Sequence, residues 1–415
     1  MAAMRILQIN TFHYPRGGAS IYCLKLSEML REAGHTVLHF AMDHPRSLDC
    51  PETAEYWPRY IEYPELQRKI NPANALKVLR RTIYSKEAES GLRRLIRAKG
   101  PFDVAHIHNI MHHLTPSVLA PLREEGIPVA WTMHDFSLLC PNTNFFDTGR
   151  GELCTGCLGS WPHFVRAPLR RCKRGSLAAS FVAALEAAVH RIRGILKNVD
   201  ILLPPSRFMA EKLADAGLDS RARISVIPIF AELPERPRSG FDNFALFAGR
   251  LSAEKGVELL IKAWRLMPAE ATLKIAGSGP AEGDLKSTAS GMHNVEFLGF
   301  VQPEKLTEIR RRAQLLIIPS VCWDNFPLSV LEALGDGVPV LAADTGGIPE
   351  MVRPGITGEL FERDNAEELA MAASRLLTSP EECERLGLGA RKVAEAEYSP
   401  ENHLREILKV YSELS

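Results

Sequence analysis

The chain has 415 residues, of which 46% are hydrophobic and 24% are charged, and this suits a globular protein with two core-bearing domains. Fifty basic and fifty acidic residues leave a formal net charge of zero, which argues against a nucleic-acid-binding protein because such proteins rely on positive charge. No apolar run reaches the ~18 residues of a membrane span. The start "MAAMRILQIN" enters a strand-like segment directly, without the apolar region of a signal peptide. We therefore expect a cytoplasmic protein.

The first half of the chain alternates short apolar runs with longer amphipathic segments. "RILQIN" is followed by "ASIYCLKLSEMLREAG" and "HTVLHFA"; "DVAHIHN" is followed by "LTPSVLAPLREEG" and "PVAWTMH"; "DILLPPS" is followed by "RFMAEKLADAG" and "ISVIPIF". Strand, helix and strand, with glycine closing several helices, is the pattern of a parallel sheet covered on both faces. The first half is therefore predicted to be α/β.

Residues 234–240, "PERPRSG", interrupt this pattern with prolines, charges and a glycine, as is typical of an exposed linker. Beyond them the strands "FALFAGR", "TLKIAG", "VEFLGF", "AQLLIIPS", "PVLAAD" and "GELFE" are separated by helical segments such as "GVELLIKAWRLM" and "LTEIRRRA". Two doubly wound domains in series leave a cleft between the carboxyl ends of two sheets, where such folds bind ligands.

The segment "DNFPLSVLE", residues 324–332, places two carboxylates around a helix start. Proline is favoured at the first helical position, so we predict a helix from Pro327, with Asp324 in the preceding loop and Glu332 about one and a half turns in. The first amides, at Phe326, Leu328 and Ser329, would form an anion site. Acids on either side would then accept hydrogen bonds from hydroxyls, which favours a nucleotide-sugar. The alternative is a loop residue and a solvated helix residue.

A second segment, "FALFAGRLSAEKGVELL", runs from a strand through Gly249, Arg250 and Lys255 into a helix. Two cations five residues apart on such a loop can both reach one diphosphate, arginine as a planar fork and lysine as a point charge. A solvated loop is the alternative for this segment taken alone.

Several motifs in order give the chain a resemblance to a known family. "GRLSAEKG", "IAGSGP", "FLGFV", "IIPSVCWDNFPLSVLEALGDGVPVLAADTGGIPEMV" and "GITGELF" resemble the carboxyl-terminal half of the retaining family 4 glycosyltransferases. The amino-terminal half is similar in its double glycine, Gly17 and Gly18, and in "HD" at His134 and Asp135. The resemblance implies a GT-B fold, in which two Rossmann-like domains face each other across a cleft.

The resemblance also implies domain limits. An acceptor-side domain over residues 1–230 would carry a cysteine-rich insert at 140–172, and a nucleotide-sugar-binding domain would cover 231–398. The final segment, 399–415, has a helix-capping signature at Ser399, Pro400 and Glu401. In the resembling fold this helix crosses back to the amino-terminal domain.

Roles for individual residues follow from the same resemblance. Arg250 and Lys255 match the basic pair that neutralises the donor diphosphate, Glu332 the acid that holds the ribose, and Asp324 the acid that contacts the transferred sugar. The family usually has glutamate at that last position, so the shorter aspartate can shift the sugar contact. His134 matches an active-site histidine. The remaining donor-binding candidates are Gly17, Gly18, Gly249, Asn325, Phe326, Leu328 and Ser329.

The implied reaction is transfer of a sugar from a UDP- or GDP-linked donor, with retention, to a glycan or lipid-linked acceptor in polysaccharide or glycolipid biosynthesis. No metal is required for transfer in the family, because arginine and lysine take the place of a cation. One alternative is an inactive nucleotide-sugar-binding protein, which the aspartate at position 324 leaves open. A dinucleotide-dependent oxidoreductase is a weaker alternative, since "GSGPAEG" has one residue too many before its last glycine.

Four of the eight cysteines cluster in the predicted insert, at Cys140, Cys154, Cys157 and Cys172. One C-x-x-C with a cysteine on each side can supply four thiolates to a structural zinc, which would order a loop poor in apolar residues. His163 could replace one thiolate. Free thiols, a redox pair and an iron–sulfur cluster are the alternatives.

A basic stretch follows the cysteines and surrounds the apolar "SLAASFVAALEAAV". Such a stretch can lie on an anionic membrane surface, which would suit a lipid-linked acceptor. The alternative is a solvated basic face on a core-packed helix. The basic residues are Arg166, Arg170, Arg171, Lys173, Arg174, Arg191, Arg193 and Lys197.

Overall fold

The computed structural model describes residues 2–61, 79–159, 161–218 and 221–415. The strands are β1 (Arg5–Ile9), β2 (Thr36–Phe40), β3 (Val104–Ile107), β4 (Val129–Thr132), β5 (Phe146–Asp147), β6 (Glu152–Leu153), β7 (Ile201–Leu203), β8 (Arg223–Ile224), β9 (Asp242–Ala248), β10 (Thr272–Ala276), β11 (Val295–Gly299), β12 (Ala313–Ile318), β13 (Val340–Ala343) and β14 (Gly358–Phe361).

The α-helices alternate with these strands along most of the chain. They are α1 (Gly18–Glu32), α2 (Lys86–Lys99), α3 (Leu119–Glu124), α4 (Arg166–Arg170), α5 (Leu177–Ile192), α6 (Arg207–Asp215), α7 (Val257–Trp264), α8 (Glu282–Thr288), α9 (Pro303–Arg312), α10 (Leu328–Asp336), α11 (Ile348–Met351), α12 (Ala366–Leu377), α13 (Pro380–Glu397) and α14 (Pro400–Leu414). Within the described ranges, no helix has both the length and the apolarity that crossing a bilayer requires.

Two six-stranded parallel sheets confirm the predicted architecture of two Rossmann-like domains. The first sheet has the order β2-β1-β3-β4-β7-β8 and the second the order β11-β10-β9-β12-β13-β14. The central strands are buried along their whole length, for example β3, β4 and β12, because helices cover both faces of a parallel sheet. The predicted strand "ISVIPIF" is much shorter than expected, since only Arg223 and Ile224 pair with β7.

Each sheet has a switch point at which the strand order reverses. In the second sheet the chain runs outward from β9 through β10 to β11 and returns to β12 on the other side of β9. The loops after β9 and β12 therefore diverge and leave a crevice at the carboxyl edge, which is where open α/β sheets bind ligands. In the first sheet the corresponding neighbours are β1 and β3.

The last helix, α14, packs against the first sheet. Ser399 caps it by accepting from the amide of Asn402 at 3.3 Å, and Pro400 is its first residue, as the sequence predicts. The buried Tyr411 hydroxyl lies 2.6 Å from Nδ1 of His106 on β3. His403 donates from Nδ1 to the carbonyl of Pro228 at 2.7 Å.

The cysteine-rich segment contains more regular structure than its composition predicts. β5 and β6 pair as an antiparallel hairpin, and the buried Asp147 accepts from the amide of Gly149 at 3.1 Å and from Nε of Arg170 at 2.8 Å. A small apolar cluster that includes Phe164 and Ala167 lies beneath it. Residue 160, within the predicted insert, lies outside the described residues.

Candidate active site

The switch point of the second sheet brings together a lysine and an aspartate that are 69 positions apart. Nζ of Lys255, on the loop after β9, donates to Oδ1 of Asp324 at 2.7 Å and to Oδ2 at 3.0 Å. Ser320 donates from Oγ to the same Oδ2. Burial alone would lower the pKa of Lys255, but the neighbouring Asp324 carboxylate outweighs burial and raises it. Lys255 is therefore a cation at neutral pH.

Glycines hold the two loops of this crevice in contact. Gly256 has φ of 68°, and a Cβ there would lie 1.8 Å from the carbonyl oxygen of Pro319. At Gly346, whose φ is 63°, a Cβ would lie 2.2 Å from the carbonyl oxygen of Asp324. Only glycine fits such positions. Sequence reasoning did not select these residues, although "EKG" and "DTGG" are turn signals.

Arg250 and Gly249 occupy the same loop as Lys255 and are exposed. The Gly249 amide donates to the carbonyl of Ala276 at 3.0 Å, which fixes the start of the loop. A Cβ at Gly277 would lie 1.8 Å from the carbonyl oxygen of Gly249. Close backbone packing therefore explains the glycine at 277, the first residue of "GSGPAEG".

The N-terminus of α10 faces the N-terminus of α1 across the cleft. The predicted start at Pro327 is wrong by one residue: Pro327 has ψ of 122° and precedes the helix, which begins at Leu328. A Cβ at Gly18 would lie 2.9 Å from Cδ1 of Leu328, so glycine allows the two halves to approach here. Gly17 is exposed and extended, with room for a Cβ. Phe326 instead packs its ring edge-on against Tyr398.

Asn325 joins the two halves through its side chain. Its Nδ2 donates to the carbonyl of Met133 at 3.0 Å, and its Oδ1 accepts from Oγ of Ser206 at 2.8 Å. Asn325 is buried, and the adjacent Trp323 packs between the rings of Phe145 and Phe208, each 5.0 Å away. The Asn325 side chain therefore fixes the loop. The role predicted for this segment, binding of the donor diphosphate, concerned its backbone N–H groups instead.

Glu332 lies on α10, and a buried arginine holds its carboxylate. Nη1 of Arg310 donates to Oε2 of Glu332 at 2.7 Å, and Nε of Arg310 donates to Oδ2 of Asp336 at 2.7 Å. Partial burial raises the pKa of Glu332, against the lowering effect of Arg310. Arg310 therefore fixes one carboxylate oxygen of Glu332. Ser329, one turn earlier at the helix start, is half-buried. Sequence reasoning missed Arg310.

His134 follows β4 and belongs to a chain of hydrogen bonds that sequence reasoning missed. Its Nε2 is 3.2 Å from Nδ1 of His108, and Nε2 of His108 is 2.7 Å from Oε1 of Gln8. Because that glutamine oxygen only accepts, His108 donates from Nε2 and accepts at Nδ1, so His134 donates from Nε2. Burial lowers the pKa of His134 to about 3. The ring is therefore neutral, and its Nδ1 is an acceptor.

A partly open pocket lies between α5 and the loops that follow β3 and β4. The loop that carries His134 continues into its wall at Ser137 and Leu138. Oε2 of Glu186 lies 2.5 Å from Nδ1 of His112, whose amide also donates to Oε1 at 3.1 Å. Burial would raise the pKa of Glu186, but His112 lowers it, so the cavity contains a fixed carboxylate. In the sequence, the one signal for this carboxylate was that Glu186 is the lone acid of the apolar segment "SLAASFVAALEAAV".

The four predicted zinc ligands, Cys140, Cys154, Cys157 and Cys172, line one small cavity. They are free thiols, and burial raises the pKa of Cys157 and of Cys172 to about 12. In the described part of the chain, no group of three or more His, Cys, Asp or Glu side chains is arranged so that it could hold a metal ion. His163 donates from Nδ1 to the carbonyl of Leu158 at 3.1 Å. Zinc stays a prediction.

Comparison with known families matches nearly the whole chain. The "Glycosyl transferase 4-like domain" matches residues 17–229, and "Glycosyl transferases group 1" matches residues 231–393. An uncharacterized glycosyltransferase of Methanocaldococcus jannaschii is 33% identical over 175 residues, which are 41% of this chain and 45% of that protein. This chain spans about half the length of the curated relatives that it matches.

Two solved structures show the same fold over the whole length. Sucrose-phosphate synthase from Thermosynechococcus elongatus has a TM-score of 0.70 at 21% identity and covers 99% of both chains. The Anabaena protein HepE in complex with UDP-glucose has a TM-score of 0.62 at 16% identity and covers 99% of this chain and 100% of its own.

Proposed function

The chain belongs to the glycosyltransferases of group 1, and from that premise we propose that it transfers a sugar from a UDP- or GDP-linked donor to a glycan or lipid-linked acceptor, with retention at the anomeric carbon. The observation that carries the proposal is the pairing of Lys255 with Asp324 at a switch point, on a loop that also exposes Arg250. The solved complex of HepE with UDP-glucose supports a nucleotide-sugar as donor.

The donor diphosphate binds between Arg250, Lys255 and the first turn of α10. Lys255 has three N–H donors, so it can keep its bond to Asp324 and still donate to a phosphate oxygen. The first amides of α10, at Leu328 and Ser329, have no intrahelical acceptors, and the helix dipole favours an anion there. These groups supply the positive charge, and we propose that transfer needs no bound metal.

The sugar and the ribose bind on opposite sides of the diphosphate. Asp324 accepts from a hydroxyl of the transferred sugar, and Glu332 accepts from the ribose hydroxyls through the oxygen that Arg310 does not hold. His134 is neutral and donates to His108 from Nε2, so its Nδ1 accepts a hydrogen bond from a further hydroxyl of the sugar. Because the sugar contacts and the ribose contact lie on opposite sides of the diphosphate, the donor can bind in one direction only.

Transfer breaks the bond between the anomeric carbon and the β-phosphate oxygen and forms a bond from the acceptor oxygen to the same face of that carbon. The acceptor hydroxyl gives its proton to the departing phosphate oxygen, so no separate enzymatic base is needed. Arg250 and Lys255 stabilise the charge that develops on the leaving diphosphate, an electrostatic contribution that typically dominates such steps.

The acceptor binds on the side of the first sheet. The cavity beside α5 offers mostly apolar walls with the fixed Glu186 carboxylate and His190, a lining that suits a hydroxylated head group next to an apolar chain. The acceptors that fit are therefore a glycan or a lipid-linked sugar, as in polysaccharide or glycolipid assembly. We place the reaction in the cytoplasm.

A nucleotide-release assay with UDP-, GDP- and ADP-sugars tests the proposal, after a thermal-shift screen selects the donor that stabilises the protein. Release should be lost in Lys255→Ala and kept in Lys392→Ala, which changes an exposed lysine of α13. Tight donor binding with no release on any acceptor would instead indicate an inactive binding protein. Stabilisation by a nicotinamide dinucleotide alone would favour the oxidoreductase.

A further inference from the structure

Helix α5 has its acid and its histidine turned inward and three large apolar side chains turned outward. Its acid and its histidine, Glu186 and His190, are 2% and 5% exposed, whereas Leu177, Phe181 and Ile192 are 55%, 53% and 62% exposed. These three lie on one helix face by the 3.6-residue period. A surface helix of a globular protein normally shows the opposite arrangement, so the outward face of α5 requires an apolar partner.

The apolar surface continues onto the preceding segment. Val165 is 59% exposed and Leu169, one turn later at the end of α4, is 76% exposed. Of the 13 exposed large hydrophobic side chains in the described ranges, five fall between residues 165 and 192. We name this surface the docking face: Val165, Leu169, Leu177, Phe181 and Ile192.

Positive charge surrounds the docking face. Arg170 is paired with Asp147 and Glu152, but residues 153–199 still contain seven other Lys and Arg and a single acid, Glu186. That acid is buried against His112, so it does not offset the surface charge. Arg166, Arg171 and Arg174 are exposed among the apolar residues.

We infer that the docking face binds the surface of a lipid bilayer that contains anionic lipid. Protruding apolar side chains rimmed by arginine match the interface between head groups and acyl chains. A second copy of the chain is a poor occupant, because a two-fold interface would bring the exposed Arg166, Arg171 and Arg174 of both copies together.

The inference also assigns an orientation, which rests on the proposed function. The inner face of α5 lines the pocket described above with Ala183, Glu186 and Ala187, while its outer face lies on the membrane. A lipid-linked acceptor would then reach the cavity without leaving the bilayer. Binding to vesicles is measured without a donor, so a failure of transferase activity and a failure of docking are separate results.

Flotation of the full chain with phosphatidylcholine vesicles, with and without about 30% phosphatidylglycerol, tests the inference. The protein should float with anionic vesicles at low salt, float less at high salt because screening weakens surface charge, and sediment with pure phosphatidylcholine. Phe181→Asp should lower the partition coefficient roughly tenfold or more, since it places a charge where an exposed ring would enter the bilayer. Met371→Asp, at a residue 68% exposed on α12, is the matched control and should float like the wild type.

Two double charge-reversal variants distinguish the effect of the basic residues around the docking face from the effect of total net charge. Arg171→Glu with Arg174→Glu should also reduce flotation roughly tenfold or more, whereas Lys392→Glu with Lys409→Glu, both exposed, changes the total charge equally and should not. Circular dichroism confirms the fold of each variant.

Three outcomes would overturn the inference. Sedimentation of the wild type with anionic vesicles at low salt is the first, and equal losses in docking and control variants are the second. The third is a dimer that dissociates in Phe181→Asp while no variant floats, because it would assign the face to a second copy of the chain.

Discussion

Replacing Lys255 with methionine removes the cation that joins the two loops at the switch point of the second sheet. The change keeps the length of the side chain but removes the donor of two hydrogen bonds to Asp324, which still accepts from Ser320. The Lys255 side chain is 29% exposed and that of Asp324 is 15% exposed. The pair therefore lies between a surface ion pair and a fully buried one.

The expected magnitudes follow from that intermediate burial. Surface pairs contribute about 0–1 kcal/mol, and breaking a buried pair costs about 3–5 kcal/mol, so the free energy of unfolding should fall by about 1–3 kcal/mol. Nucleotide release should fall much further, about 10²- to 10³-fold, because one stabilising group is lost at the leaving diphosphate.

Chemical denaturation and the nucleotide-release assay measure the two effects separately. Lys255→Met combined with Asp324→Asn removes both charges, so it should recover most of the lost stability while staying inactive. Lys262→Met is the matched control, because Lys262 also donates to a carboxylate at 2.7 Å, that of Glu258, but both side chains are more than half exposed. It should change neither quantity measurably.

Retention of nucleotide release within about fivefold of the wild type in Lys255→Met would refute the electrostatic role of this lysine. A double variant as unstable as the single one would refute the reasoning about the unpaired carboxylate.

Four further predictions concern the same structure. Gly256→Ala should lower the free energy of unfolding by about 2 kcal/mol or more, because a left-handed backbone and a close carbonyl oppose a Cβ, whereas Gly283→Ala has free space and should not. Glu332→Gln should weaken donor binding about tenfold in calorimetry, because a hydrogen bond to a charged group is lost. Asp324→Glu should preserve or raise transfer. Protein purified without added zinc should contain about one zinc per chain, bound by the four insert cysteines.

Each of these has a clear contrary result. Equal stability of the two alanine variants would remove the packing argument at residue 256, and unchanged donor affinity in Glu332→Gln would remove the ribose contact. A loss of transfer in Asp324→Glu would show that the short carboxylate is an adaptation to a particular donor. Metal well below one equivalent in elemental analysis would end the zinc hypothesis.

The architecture of this protein was largely readable from its sequence. Short apolar runs alternating with amphipathic segments predict parallel strands and covering helices, because burial on both faces of a strand needs a continuous apolar run. Ordered motifs around Arg250 and "DNFPLSVLE" also predicted where the candidate site lies. Local chemistry placed the start of α10 to within one residue, since a helix start depends on neighbouring residues.

Contacts between distant residues were decided only by the tertiary structure. The pairing of Glu332 with Arg310 and the bond from Asn325 to Met133 join separate elements, and no periodicity specifies them. The hydrogen-bond chain from Gln8 through His108 depends on adjacent strands.

Helix α5 shows most clearly which features the sequence predicts and which only tertiary contacts decide. Its sequence, apolar with a single acid and basic residues around it, allowed both a core-packed helix and a membrane-facing one. Periodicity defines which residues share a face of a helix, but it does not say which face packs inward. That choice follows from His112 lying beside Glu186, because a buried carboxylate must find its partner, and this turned the apolar face outward.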